Sequence, residues 1–244
     1  MNSGIHPFEN TIVAISRLIE NGEIAAAGTL SPIPAAALYL AQMSHAPDMV
    51  PMVYGDPDMR ITDGLHEFFG LANRGQIDLF FVSGIQIDQA GNFNLSVIGD
   101  YETPKVRLPG GAGSNLMCMM AGRTIAFTVD HTPKLFVEQV DFVNANADDP
   151  SLPWRRGYLS HVVTPLAQLR YDREKGRLVL EMTMPGITAK TVAEATGFDI
   201  VDNGSEIPEM QPPDAEEMLL LRGPVLKKLR VVYPNFANLI WGAE

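Results

Sequence analysis

Between residues 24 and 54 the chain reads apolar strand, helix, apolar strand, and this order constrains the fold more than any other feature. Residues 24–29 form a short run of Ile and Ala, Ser31-Pro32-Ile33-Pro34 reads as a turn, residues 35–44 as a helix and residues 49–54 as a second strand. A strand, crossover helix and strand in this order join parallel neighbours, which predicts an α/β fold. Ahead of them Ile12, Ile15 and Ile19 repeat at helical spacing, giving an opening amphipathic helix that ends near Asn21-Gly22.

Further elements follow in the same style. Residues 64–73 read as a helix and 78–83 as a strand. Residues 93–98, 124–130 and 137–143 are strand-like runs rich in Val, Ile and Phe. Residues 162–171 and 177–184, joined by the polar turn Arg173-Glu174-Lys175-Gly176, read as a β-hairpin that Pro185-Gly186 ends. Thr191 and Glu194 suggest a capping box for a short helix closed by Gly197. The expected fold class is α/β, a parallel-rich sheet flanked by helices with a C-terminal β-hairpin and helix. Residues 1–201 form this domain. Residues 202–244, rich in Pro and acid (Glu206, Glu209, Pro212, Pro213, Asp214), form an extended tail with one short helix at 216–222.

Composition narrows the partners. At 244 residues the chain can bury a substantial core. A net charge of -11 argues against nucleic acid or an anionic membrane surface as a partner. The single cysteine, Cys118, excludes an internal disulfide, fits a reducing cytoplasm, and sits in an apolar run that reads as core. No secretory leader or membrane span is recognised: residues 12–19 carry Arg17, and residues 24–41 are broken by Pro32 and Pro34. A cytoplasmic protein is expected.

The stretch Leu-Pro-Gly-Gly-Ala-Gly-Ser-Asn, residues 108–115, carries the chemistry. A loop stripped of side chains ahead of a helix presents backbone N–H groups to an anion or a developing oxyanion. Gly110, Gly111, Ala112 and Gly113 are therefore the candidate donors, although a tight strand-to-helix turn gives the same composition. The loop has no Gly-Lys-Ser/Thr and no G-x-G-x-x-G. Ser114 and Asn115 read as helix caps or substrate contacts. Gln86, Asn92 and Asn94 either orient a substrate or serve the turn around Gly91. Asp130-His131 has the makings of an acid–base pair but reads as structural. His66-Glu67 lacks the second His of a zinc site, so no metal is expected.

Four segments in order carry a family resemblance. Residues 84–94, GIQIDQAGNFN, resemble the QxDxxGNxN segment in the small (β) subunits of class I coenzyme A transferases, and LPGGAGSN resembles that subunit's glycine-rich loop. Residues 131–144, HTPKLFVEQVDFVN, and residues 185–198, PGITAKTVAEATGF, resemble two further family segments. The resemblance spans residues 8 to 201. It implies acyl-CoA thioester chemistry performed with a separate α subunit, as a heterodimer or heterotetramer. No permanently bound cofactor is implied; coenzyme A enters as part of the substrate. Arg155-Arg156 beside Trp154 then reads as a contact to CoA phosphates or the partner subunit, or as a solvated loop near an interface.

The resemblance also implies a β-subunit glutamate just after the second strand, which attacks the thioester and holds CoA covalently. Here that position is Gly55, which has no nucleophile. Asp56 and Asp58 follow within one turn as candidates to stand in as the catalytic carboxylate, although aspartate is a methylene shorter and one residue out of register and Gly-Asp-Pro-Asp is an ordinary surface turn. One branch of the family, the hydrolases that open steroid-ring CoA esters, resembles this chain in lacking the glutamate. Three readings stand: a CoA-ester hydrolase subunit, a true acyl-CoA:carboxylate transferase subunit, and a non-catalytic scaffold or ligand-binding subunit.

Overall fold

A computed structural model describes residues 4–59, 62–200 and 206–243. Five parallel strands build the centre of a seven-stranded sheet: β1 (Ile24–Ala27), β2 (Val50–Val53), β3 (Leu79–Val82), β8 (Arg123–Phe127) and β9 (Leu159–Val163). Two two-stranded ribbons intervene in the chain, β4 (Gln86–Ile87) with β5 (Phe93–Asn94), and β6 (Val97–Ile98) with β7 (Val106–Arg107). β10 (Ala167–Asp172) and β11 (Arg177–Thr183) extend the sheet antiparallel from β9, giving the order β11-β10-β9-β8-β3-β1-β2.

Period-two alternation splits the core into two layers. Ala25 and Ala27 of β1, Leu79 and Phe81 of β3, and Ile125 and Phe127 of β8 face one layer. Ala26, Phe80, Val82 and Ala126 face the other. The first layer is closed by α1 (Pro7–Arg17), α2 (Pro32–Met43) and the C-terminal helices. The second is closed by α3 (Leu65–Asn73), α4 (Ser114–Met120) and α5 (Ala189–Glu194). The α/β expectation holds in class and in strand direction.

Several local expectations are corrected. The Ser31–Pro34 stretch is not a turn: α2 starts at Pro32, because a proline's fixed φ and missing N–H suit the first helical turn. Residues 137–143 form no strand; Val137 and Val140 donate their N–H groups to the Ile87 carbonyl and the Asp88 carboxylate instead. Residues 162–171 are two strands, β9 and β10, so the terminal hairpin is β10–β11. The cap of α5 is Thr188, whose hydroxyl accepts the Thr191 N–H at 3.1 Å. Gly197 is required for another reason: its N–H donates to the Phe136 carbonyl, and a Cβ there would lie 2.4 Å from that oxygen.

The C-terminal segment is more structured than a tail with one helix. Asp214 caps α6 (Ala215–Leu220), a π turn at Leu221–Val225 absorbs Pro224, and α7 (Leu226–Val232) and α8 (Pro234–Trp241) follow. Leu221, Val225 and Leu229 are fully buried in the first core layer. The buried Glu9 carboxylate of α1 takes Arg222 at 2.7 Å and the Trp241 indole N–H at 2.7 Å, clasping both ends of the chain. The expected boundary at 201/202 lies outside the described residues. No helix among the described residues is long and apolar enough to cross a membrane.

Candidate active site

The topology selects one edge of the sheet. β1 lies between β2 and β3, so the chain leaves β1 toward one side and continues from β3 to β8 on the other. In open α/β sheets ligands bind at such a switch, outside the carboxyl ends of the strands. α3 and α4 lead directly into the amino ends of β3 and β8, which places their own N-termini at that carboxyl edge. Among the described residues, two non-glycine residues hold a left-handed φ: Leu30 (57°), just after β1, and Ala112 (47°), just before α4. Each costs about 1 kcal/mol, and such strain concentrates at functional loops.

At the carboxyl end of β2 a cavity of about 420 Å³ opens, lined by residues 52–57 with Met59, Thr62 and Gly64. Gly55 is exposed there at φ +97°, a conformation that disfavours any side chain. A Cβ on it would point to Val232 Cγ1 of α7 at 3.5 Å. Asp56 lines the same cavity but is buried and engaged. Its Oδ2 accepts the Tyr39 hydroxyl at 2.6 Å and its Oδ1 accepts the Asp58 N–H at 2.9 Å. Burial, followed by the adjoining Asp56 carboxylate, raises the Tyr39 phenol far above its ordinary pKa. Both Asp56 oxygens are therefore engaged, one by α2 and one within the turn, an arrangement that suits a structural anchor better than a nucleophile.

The glycine-rich loop divides into a tethered part and an open part. Gly110 donates its N–H to the Leu95 carbonyl at 3.1 Å, which removes it from the expected donors. The N–H groups of Gly111, Ala112 and Gly113 donate to no acceptor among the described residues. Gly113 precedes α4 without a side-chain cap, and Ser114 does not cap the helix either. The Ser114 hydroxyl is instead buried without a partner, while Asn115 is exposed and accepts the Leu116 N–H. This loop is not part of the cavity lining; the two are joined through aromatic rings. Tyr54 packs edge-on against Phe68 at 5.4 Å, Phe68 meets Phe69 at 5.8 Å, and the Phe69 ring fills the space beside Gly113.

The amide residues hold this loop in place. Asn94 donates to Gln86 Oε1 at 2.6 Å and to the Val97 carbonyl at 2.6 Å. Gln86 in turn donates to Asp141 at 3.0 Å. Asn144 accepts the Leu95 N–H at 2.7 Å and bonds the Ser96 hydroxyl. Residues 95 and 96 then carry the glycine loop through Gly110 and Leu108. Gln86 and Asn94 are buried and bound to protein, contacts that suit the scaffolding alternative. Asn92 likewise closes a turn on Asp88, with N–H and side-chain amide bonds of 3.0 Å each.

Three further residues from these segments, His131, Cys118 and Arg155, are engaged within the fold. His131 is buried between the Thr164 and Thr196 hydroxyls, and burial lowers its pKa to about 4. Burial pushes the Cys118 thiol up to about 12. Arg155 is bound to Asn146 and to the carbonyls of Ala147 and Gly157. No group of three or more His, Cys, Asp or Glu able to hold a metal converges among the described residues.

Comparison with known proteins places this arrangement. The family model described as coenzyme A transferase matches residues 56–195, more than half of the chain. The chain belongs to the coenzyme A transferase family. It is 29% identical to the B-type subunit of glutaconate CoA-transferase of Acidaminococcus fermentans, over 88% of this chain and 90% of that one. It is 30% identical to the IpdB subunit of the cholesterol ring-cleaving hydrolase of Rhodococcus jostii, over 56% of this chain and 55% of that one. Among solved structures, glutaconate CoA-transferase from Acidaminococcus fermentans superposes with a TM-score of 0.77 at 26% identity, covering 91% of this chain and 95% of that one. Rhodococcus jostii IpdAB superposes with a TM-score of 0.78 at 22% identity, covering 91% and 94%, a likeness of fold.

Sequence reasoning missed Tyr54, Phe69, Asp141, Asn144 and Val232. Tyr54 carried a signal, a polar aromatic at the carboxyl end of a core strand. Asp141 and Asn144 meet partners about fifty residues away, which no local pattern announces.

Proposed function

We propose that this chain is the β subunit of a two-subunit enzyme acting on acyl-CoA thioesters, and that the reaction is hydrolysis. The observation that carries the reading is Gly55. The position from which a family glutamate would attack has no side chain, stands at φ +97°, and opens on the cavity. The neighbouring Asp56 is turned to Tyr39 and the Asp58 N–H. This chain then supplies the walls of the pocket and the free N–H groups of Gly111, Ala112 and Gly113 for the thioester oxygen. The α subunit supplies the group that activates water. The likeness to the IpdB subunit of a ring-cleaving hydrolase supports hydrolysis, including that of a carbon–carbon bond in a β-oxo thioester.

A second reading, acyl-CoA:carboxylate transfer, is favoured by the end-to-end match to a glutaconate CoA-transferase chain. The two separate in one assay of the reconstituted complex. Hydrolysis consumes an acyl-CoA with no carboxylate acceptor present, releasing free thiol where the thioester is cut and an opened CoA ester where a carbon–carbon bond is. A strict requirement for the acceptor would establish transfer instead.

A further inference from the structure

We propose that the α subunit docks on the loops at the carboxyl edge of the sheet, with Leu30 and the stacked pair Tyr101–Phe142 as its anchors on this chain. This deepens the two-subunit reading and rests on it. Leu30 follows β1, is 84% exposed and joins neither core layer. Its φ of 57° disfavours a side chain. Asparagine or glycine would relieve that backbone, and a polar residue would suit the surrounding water. The fold of this chain has no use for a leucine there.

One exposed leucine alone carries no weight, but other large apolar side chains are exposed on the same edge. Tyr101 and Val106 lie in the connection that follows β3, and Val129 and Val143 in the one that follows β8. The Tyr101 ring stacks on Phe142 at 5.0 Å, and the Arg107 guanidinium lies 4.9 Å from its centroid. Arg107 also donates to the Tyr101 carbonyl at 2.5 Å. Tyr101 remains 47% exposed within this ordered cluster. Tyrosine and arginine held in place are the residues that carry binding energy at protein interfaces, because little freedom is lost on docking.

Continuity with the site names the occupant. Arg107 leads directly into the glycine-rich loop, and Phe142 stands two residues before Asn144, whose side chain holds residues 95 and 96 behind that loop. Gly55 lacks a reacting side chain, so the chain that completes the site must reach the free N–H groups of Gly111, Ala112 and Gly113. A subunit that reaches them passes over the Tyr101 cluster.

The test titrates purified α subunit into this full-length chain, wild type, Leu30→Asn, Tyr101→Ala or Trp154→Ala, and reads the dissociation constant by calorimetry. Trp154, 56% exposed, is the rival anchor, since the nearby Arg156 N–H meets the last turn of α4 at the amino edge. Leu30→Asn and Tyr101→Ala are each expected to weaken assembly by about 10- to 100-fold, and Trp154→Ala by less than about threefold. Leu30→Asn by itself should melt at or above the wild-type temperature, because asparagine tolerates the left-handed backbone. Stability that holds while assembly weakens separates docking from a role in this chain's own fold; a lower melting temperature overturns the proposal. So does an unchanged dissociation constant in either anchor variant, or a larger loss in Trp154→Ala than in both. Self-association of the wild-type chain in sedimentation, abolished by Leu30→Asn, would make this face a contact between copies and overturns it too. A wild-type chain that binds no α subunit overturns the two-subunit reading and the proposal with it.

Discussion

The ring of Phe69 occupies the place that a Cβ on Gly113 would need, 2.2 Å from its Cζ. Phe69 lies at the middle of α3 and Gly113 opens α4, so this contact sets how closely α3 approaches the glycine-rich loop. It also transmits the wall of the cavity, through Phe68 and Tyr54, to the loop with the free N–H groups. Gly113→Ala forces the ring or the loop to shift. We expect a stability loss of about 1–3 kcal/mol by denaturant unfolding and a roughly 10- to 100-fold fall in thioester cleavage by the complex. Phe69→Leu combined with Gly113→Ala should recover much of the stability.

The Tyr39–Asp56 hydrogen bond is expected to be a matter of stability. Tyr39 is fully buried, and Tyr39→Phe leaves the Asp56 carboxylate short of a donor. The expected cost is about 1–3 kcal/mol in chemical unfolding. Asp56→Ala should lower the melting temperature in the same way. Complete loss of activity in a fully folded Asp56→Ala complex would instead make Asp56 a reacting group.

The clasp at Glu9 yields a sharper test of the C-terminal helices. Burial alone would raise the Glu9 pKa, but bonds from Arg222, the His6 N–H and Trp241 hold it below the ordinary value. Arg222→Ala strands that carboxylate. Because the arginine is itself partly exposed, the cost should be about 2 kcal/mol, below the ~3–5 kcal/mol of a fully buried pair. Hydrogen exchange should accelerate in α7 and α8 before it does in the sheet.

Acid should destabilise the fold in a defined window. His131 has a folded pKa of about 4 against an ordinary 6.5, so the unfolded chain binds the proton first. The stability that neutral His131 contributes is intact above pH ~6.5 and is lost as pH falls toward 4. The loss is on the order of 3 kcal/mol. Glu9, with its lowered pKa, acts in the same direction at still lower pH. Melting curves for wild type and His131→Asn between pH 4 and 7 should show the slope reduced in the variant.

The parallel core was legible because it is written locally. Buried strands such as β1 and β3 are short apolar runs, and the helices between them have room for a crossover. What could not be read depends on partners distant in sequence. Val137 and Val140 look like strand residues, yet their N–H groups meet residues 87 and 88 across a loop. Gln86 and Asn94 fit either a substrate contact or a scaffold because amides serve both roles, and the bond to Asp141 that favours a scaffold lies 55 residues away in sequence. The C-terminal helices carried a legible signal, Leu221, Val225 and Leu229 at four-residue spacing. Pro224 masks it, since a proline ordinarily ends a helix and only a π turn accommodates it here.

The most direct test of the account is the intact mass of this chain after the complex is mixed with an acyl-CoA and quenched during turnover. Consumption of the acyl-CoA with the mass of this chain unchanged is the outcome the account requires, because Gly55 leaves no group here to hold coenzyme A. A coenzyme A adduct on this chain, at Asp56 or elsewhere, would contradict it.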